Sequence, residues 1–70
     1  MEKIEFTLTE EYIELIKLLK TTSLADTGGM AKILVDDKQV RVDGHVECRK
    51  RCKIRKGQIV EVGQYRILVH

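Results

Sequence analysis

At Asp37 the spacing of apolar residues changes from helical to alternating, and this limits the chain to folds that combine a helical half with a sheet half. Upstream, Tyr12, Leu15, Ile16 and Leu19, and then Met30, Ile33 and Leu34, recur at intervals of three and four. Downstream, Val40 and Val42 alternate with Gln39, Arg41 and Asp43. Asp43-Gly44 then supplies a strong two-residue hairpin signal, so His45 to Glu47 is expected to return antiparallel. Gln58 to Val62 and Tyr65 to Val69 read as a second hairpin joined by Gly63-Gln64. An alternating segment, Lys3 to Leu8, precedes the helices and places Ile4, Phe6 and Leu8 on one side.

The helix boundaries are read from capping chemistry. Thr9 can accept a hydrogen bond from free amides, and Glu10 and Glu11 suit the positive end of a helix dipole, which predicts a helix from Thr9 to about Lys20. Asp26 or Thr27 is the expected cap of a second helix, with Met30, Ile33 and Leu34 on its apolar face and Lys32 pointing elsewhere. Gly28 and Gly29 weaken its first turn. A glycine costs about 1 kcal/mol relative to alanine in a helix interior, so this pair implies close backbone approach to a neighbouring helix or a phosphate. The expected class is α+β: two packed helices against a small, mainly antiparallel sheet, in the order β-α-α-β-β-β-β.

Seventy residues suffice for one core, and the expectation is a single domain over residues 1–70. Aromatics are limited to Phe6, Tyr12 and Tyr65, so the core is expected to be branched aliphatic. No apolar run approaches the roughly 20 residues of a membrane span. Met1-Glu2-Lys3-Ile4-Glu5 is too polar for a secretory leader, and a cytoplasmic location is expected.

The net charge of +2 conceals a segregation: residues 1–37 carry −4 and residues 38–70 carry +6. No acid falls between Glu47 and Glu61, while Arg41, Arg49, Lys50, Arg51, Lys53, Arg55 and Lys56 supply seven bases. In an extended backbone, Arg49, Arg51, Lys53 and Arg55 lie on one side, and Cys48, Lys50, Cys52 and Ile54 on the other. Burial of Cys52 and Ile54 would hold this row of cations against the core, where arginine forks can follow phosphates. The plain alternative is a solvated, solubilising loop, but such surfaces normally mix signs.

Other chemistries are poorly supported. Cys48 and Cys52 form a C-x3-C pair, with His45 and His70 as the only imidazoles, and zinc modules normally use a closer pair. Two reduced thiols with no metal or cofactor are expected. No phosphate-cradling glycine loop or dinucleotide fingerprint occurs. Ser23 has no neighbouring histidine, Glu10, Glu11 and Glu14 read as a solvated face, and no enzyme is expected. No strand presents two stacking rings, which sets the chain apart from aromatic-sheet RNA modules.

Residues 27–44, Thr-Gly-Gly-Met-Ala-Lys-Ile-Leu-Val-Asp-Asp-Lys-Gln-Val-Arg-Val-Asp-Gly, resemble the RNA-binding domain named for ribosomal small-subunit protein four, the αL motif. Thr27, Ala31, Leu34, Val35, Val40, Val42 and Gly44 fall in its register. Residues 47–54 are similar to its stand-alone bacterial YbcJ/YaaA-like branch. The resemblance implies a non-enzymatic protein docking on structured RNA, typically ribosomal RNA, through the second helix and the adjoining strand and loop. The implied contacts are Thr27, Gly28, Lys32, Arg41, Arg49, Lys50, Arg51, Lys53, Arg55 and Lys56. Ribosomal proteins are further candidate partners, through a protein-interaction module as the alternative reading; no membrane or small-molecule substrate is implied. Gly28 stands where many members carry arginine, so helix amides would have to serve instead. Lys38 takes the usual glycine position after the helix, and Asp43 replaces asparagine in the turn.

Overall fold

The computed structural model describes residues 2–70. Strands β1 (Glu2–Phe6) and β2 (Ile13–Glu14) precede helices α1 (Leu15–Thr21) and α2 (Gly28–Asp36). Five strands follow: β3 (Val40–Val42), β4 (His45–Val46), β5 (Lys53–Ile54), β6 (Ile59–Val62) and β7 (Tyr65–Val69). The α+β class and the two packed helices are as expected. The two-residue strands β2 and β5 are additions to the expected order.

The main sheet runs β1-β7-β6-β3-β4, antiparallel throughout except where β1 lies parallel to β7. Alternation explains its two faces. Val40, Val42, Val60, Val62, Ile67 and Val69 point inward and are buried, whereas Arg41, Ile59 and Glu61 face out. The inward residues share one core with Leu15, Leu18 and Leu19 of α1, Ala31 and Val35 of α2, and Ile13 and Ile54 from the small ribbon. Asp43 and Gly44, both at positive φ (51° and 85°), close the predicted β3–β4 hairpin, matching the twist that a two-residue turn requires.

Asp43 does more than turn the chain. Its carboxylate accepts from the Gln58 side-chain amide and from the Ile59 backbone N–H, each at 3.0 Å, and these two bonds hold its pKa below the ordinary value. Gln58 in turn accepts from the Arg55 backbone N–H at 2.8 Å. The hairpin tip and the end of the basic run are thereby joined.

The first helix begins at Leu15, not Thr9. The Thr9-Glu10-Glu11 signal is local, and a distant pairing overrides it: Ile13 and Glu14 sit in antiparallel register with Ile54 and Lys53. Residues committed to a strand cannot also be helical. Glu14 makes no side-chain cap; the Leu15 and Ile16 amides donate instead to the carbonyls of Cys52 (2.9 Å) and Lys50 (3.2 Å). Main-chain acceptors thus replace the side-chain cap.

In α2 the expected cap is present, with Met30 N–H donating to Thr27 Oγ1 at 3.1 Å. The apolar face differs from expectation. Ala31 and Val35 are buried and Leu34 is half-buried, but Met30 and Ile33 are 49% and 58% exposed. Small residues on the buried stripe leave Met30 and Ile33 on the solvent side of the cylinder. Of the two causes expected for the glycines, close approach to a neighbouring helix does not hold: a Cβ at Gly28 would meet only the Lys20 Cδ at 3.8 Å, and one at Gly29 only Thr27 Oγ1 at 3.7 Å.

The helix ends as its sequence position requires. Lys38 adopts φ 59°, its N–H donates to Val35 O at 3.1 Å, and Gln39 N–H donates to Leu34 O at 3.0 Å. These two bonds form a Schellman motif with lysine where glycine is usual. A left-handed backbone costs a residue with a Cβ about 1 kcal/mol. Lys38→Gly is therefore expected to raise the thermal midpoint by a few degrees, measured by circular dichroism. An unchanged or lower midpoint would show that the strain is relieved elsewhere.

Candidate nucleic-acid interface

The basic run is a strap laid across the start of α1. Its backbone is fixed at Lys50 and Cys52 by the helix amides, and at Lys53 and Ile54 by β2. Ile54 is fully buried and Cys52 packs half-buried against the core, as parity predicts. Only Lys53–Ile54 is a strand, however; Lys50 and Arg51 form a turn, closed by Cys52 N–H donating to Arg49 O at 3.2 Å. The strap ends at Gly57, whose φ of 92° needs glycine and whose N–H donates to Val69 O at 2.8 Å.

Arg49, Arg51, Lys53 and Arg55 are all exposed, but they do not form a uniform row of free charge. Arg49 forks onto Glu47, with Nε at 3.0 Å from Oε2 and Nη2 at 3.1 Å from Oε1. Lys50 Nζ reaches Asp36 at 3.2 Å, and Arg55 Nη1 reaches Glu11 at 3.3 Å. Arg51, Lys53 and Lys56 have no carboxylate partner among the described residues. Tertiary folding thus brings acids to a stretch that contains none between Glu47 and Glu61.

The Glu47 fork also tunes local chemistry. Hydrogen bonds from the Arg49 side chain and backbone hold the Glu47 carboxyl down to about 2 from its ordinary 4.5. The depressed value means that the clamp stabilises the fold above the ordinary carboxylate range and is lost as pH falls through about 2. Arg49→Ala removes the side-chain fork but keeps the backbone N–H bond to Glu47, so the Glu47 titration, followed by carboxyl-carbon NMR, should rise part of the way toward its ordinary range. A carboxyl that already titrates there in the unaltered protein would mean that the fork does not persist in solution. Desolvation, followed by the neighbouring Glu47 charge, pushes the Cys52 thiol up, which disfavours the thiolate needed for metal or redox chemistry. Cys48 is exposed, and both cysteines are free thiols.

The remaining predicted contacts are distributed over other surfaces. Thr27 spends its hydroxyl on the α2 cap, Gly28 is half-buried and Lys32 is exposed. Arg41 projects from the outer sheet face and lines a shallow concavity with Lys38, Gln39, Glu61 and Gly63. Arg49, Arg51, Cys52 and Lys53 line a different one.

Sequence reasoning missed Tyr12. Its apolar spacing with Leu15 and Leu19 mimics a helix face, yet it precedes β2 and is 38% exposed. Lys53 Nζ lies 4.9 Å and Arg55 Cζ 5.7 Å from the ring centroid. The alternation of Tyr12, Ile13 and Glu14 opposite Lys53, Ile54 and Arg55 is the signal that could have revealed it.

Comparison with known proteins agrees with the fold. The sequence model of a family described as the S4 domain matches residues 6–70. The chain belongs to the S4 domain family. Along 58 residues, 83% of each chain, this S4 domain is 45% identical to YbcJ of Escherichia coli strain K12, which is provisionally designated an RNA-binding protein. It has the same identity and coverage with the uncharacterised YbcJ of Shigella flexneri. The solution structure of E. coli YbcJ, described as revealing an αL motif involved in RNA binding, superposes with a TM-score of 0.72. That comparison covers 93% of this chain and 84% of the other, at 42% identity. The family-model match, over residues 6–70, spans both helices, the β3–β4 hairpin and the whole strap.

Proposed function

We propose that this S4 domain, residues 1–70, acts as a non-enzymatic RNA-binding protein that docks on structured ribosomal RNA in the cytoplasm of a bacterium, in a ribosome-associated or assembly role. The observation that carries the reading is the strap: Arg51, Lys53 and Lys56 project without carboxylate partners among the described residues, from a backbone fixed at Lys50, Cys52 and Ile54. Cations on a rigid scaffold meet phosphates without first losing backbone freedom, which is what separates a docking surface from a solubilising loop. The designation of E. coli YbcJ as RNA-binding points to the same partner class. In this reading Thr27, Gly28, Lys32 and Arg41 add secondary contacts from the other surfaces on which they lie. Arg49, Lys50 and Arg55 contribute after exchanging a carboxylate for a phosphate.

Crosslinking the protein to RNA in its own cells, followed by sequencing of the bound fragments, tests this reading. Enrichment of ribosomal RNA, with in vitro affinity falling at a log–log salt slope near −3 for roughly four phosphates, is the expected result. Recovery of ribosomal proteins that survives nuclease treatment, with no enriched RNA, would replace it with a protein-interaction module.

A further inference from the structure

Tyr12 is exposed although most of the chain's other large side chains serve the core, and its surroundings are asymmetric. In the β2–β5 ribbon, Ile13 and Ile54 are opposed and buried, so alternation sends Tyr12, Lys53 and Arg55 to the opposite, solvent-facing side. Both cations lie within reach of the ring, at 4.9 and 5.7 Å from its centroid. Tyr12 also lines a concavity with Glu10, Glu11, Ile13, Glu14 and Lys17. The ring therefore has Lys53 and Arg55 over it and borders a concavity in which Glu10 and Glu14 stand with Lys17, while Glu11 pairs with Arg55.

We infer that the exposed ring of Tyr12 is a stacking platform for an unpaired RNA base, with Lys53 and Arg55 holding the adjoining phosphates. The inference rests on the RNA-binding reading above and narrows it to RNA that offers a base outside a helix. The charge asymmetry sets the polarity. Glu10 and Glu14 disfavour a phosphate beside them, so the uncharged base is the part of the RNA that meets the ring there, while the backbone runs along Lys53 and Arg55. A ring polarised by two cations and set immediately before a paired strand offers a base a flat face with little motion to lose. The Glu11 carboxylate, 82% exposed in its ion pair with Arg55, is replaced by an RNA phosphate. A single platform holds one base, which separates this site from sheets that stack several.

Tyr12 and Tyr65 are the only tyrosines and there is no tryptophan, so a Tyr65→Phe protein reports the emission of Tyr12 alone. Two labelled probes are compared at low salt: an RNA hairpin with a three-adenosine bulge, and its fully paired counterpart. The bulged hairpin is expected to bind more tightly and to quench Tyr12 emission, whereas the paired one leaves emission nearly unchanged. Tyr12→Ala should weaken the bulged hairpin roughly 5- to 150-fold with the salt slope retained, and Tyr12→Phe should keep most of the affinity. Equal affinity for both hairpins with unchanged Tyr12 emission overturns the platform and leaves RNA docking standing. No binding to either hairpin at low salt overturns both. The emission measurement retains the native Tyr12 and so decides the question even where Tyr12→Ala fails to fold.

Discussion

Replacing Arg51, Lys53 and Lys56 together with glutamine is expected to lower RNA affinity about a hundredfold at 0.15 M salt, since each phosphate-neutralising cation contributes roughly 0.7 log unit there. The slope of log affinity against log salt should become shallower by about two to three. The comparison that gives this result meaning is the triple replacement of Arg49, Lys50 and Arg55. Those cations carry the same formal charge but rest on Glu47, Asp36 and Glu11 in the free protein. Each must break an ion pair before it can meet a phosphate, so its net contribution is smaller. Salt titrations of both variants by fluorescence anisotropy discriminate the two sets. Equal losses would mean that the carboxylates exert no competition and that the strap acts as undifferentiated charge. Arg49 differs from the other two, because replacing it also removes the side-chain fork that holds Glu47 at the entrance to the strap.

What could be read from the sequence and what could not divide along contact distance. The β3–β4 turn, the Thr27 cap, the strained Lys38 and the β6–β7 hairpin depend on neighbours a few residues apart, and local chemistry fixes each of them. The start of α1 depends on Ile13 meeting Ile54, and no window around Thr9 contains that information. The same holds for β1, whose alternation is legible but whose parallel pairing with β7 joins opposite ends of the described chain. At the candidate site, parity within the strap foretold the inward Cys52 and Ile54, because it is a property of the segment itself. The partners Glu11 and Asp36 and the ring of Tyr12 come from elsewhere in the chain, so the site's division into engaged and free cations required tertiary structure.

Truncation of Ile54 is expected to give the largest change in stability. Ile54 is 0% exposed, the only residue of the strap that is fully buried, and it faces Ile13 across the ribbon. Ile54→Ala removes three carbons from a packed interior, for which losses of about 2–5 kcal/mol are typical. A chain of this size has a total stability of only about 4–10 kcal/mol, so a substantial fraction of it is at stake. The loss should begin at the strap. The Leu15 and Ile16 amides, which donate to Cys52 and Lys50, are expected to exchange with solvent at rates far above those of the sheet amides in the variant. Ile54→Val, which deletes one carbon and costs about 0.5–1.5 kcal/mol, should retain their protection and the RNA affinity. Urea denaturation and hydrogen exchange on the two variants check this. Were Ile54→Ala to lose stability uniformly, with the Leu15 and Ile16 amides still as protected as the sheet, the strap would be an integral part of the core. Its rigidity would then come from global folding, and the anchoring of the cations could not be weakened without unfolding the protein.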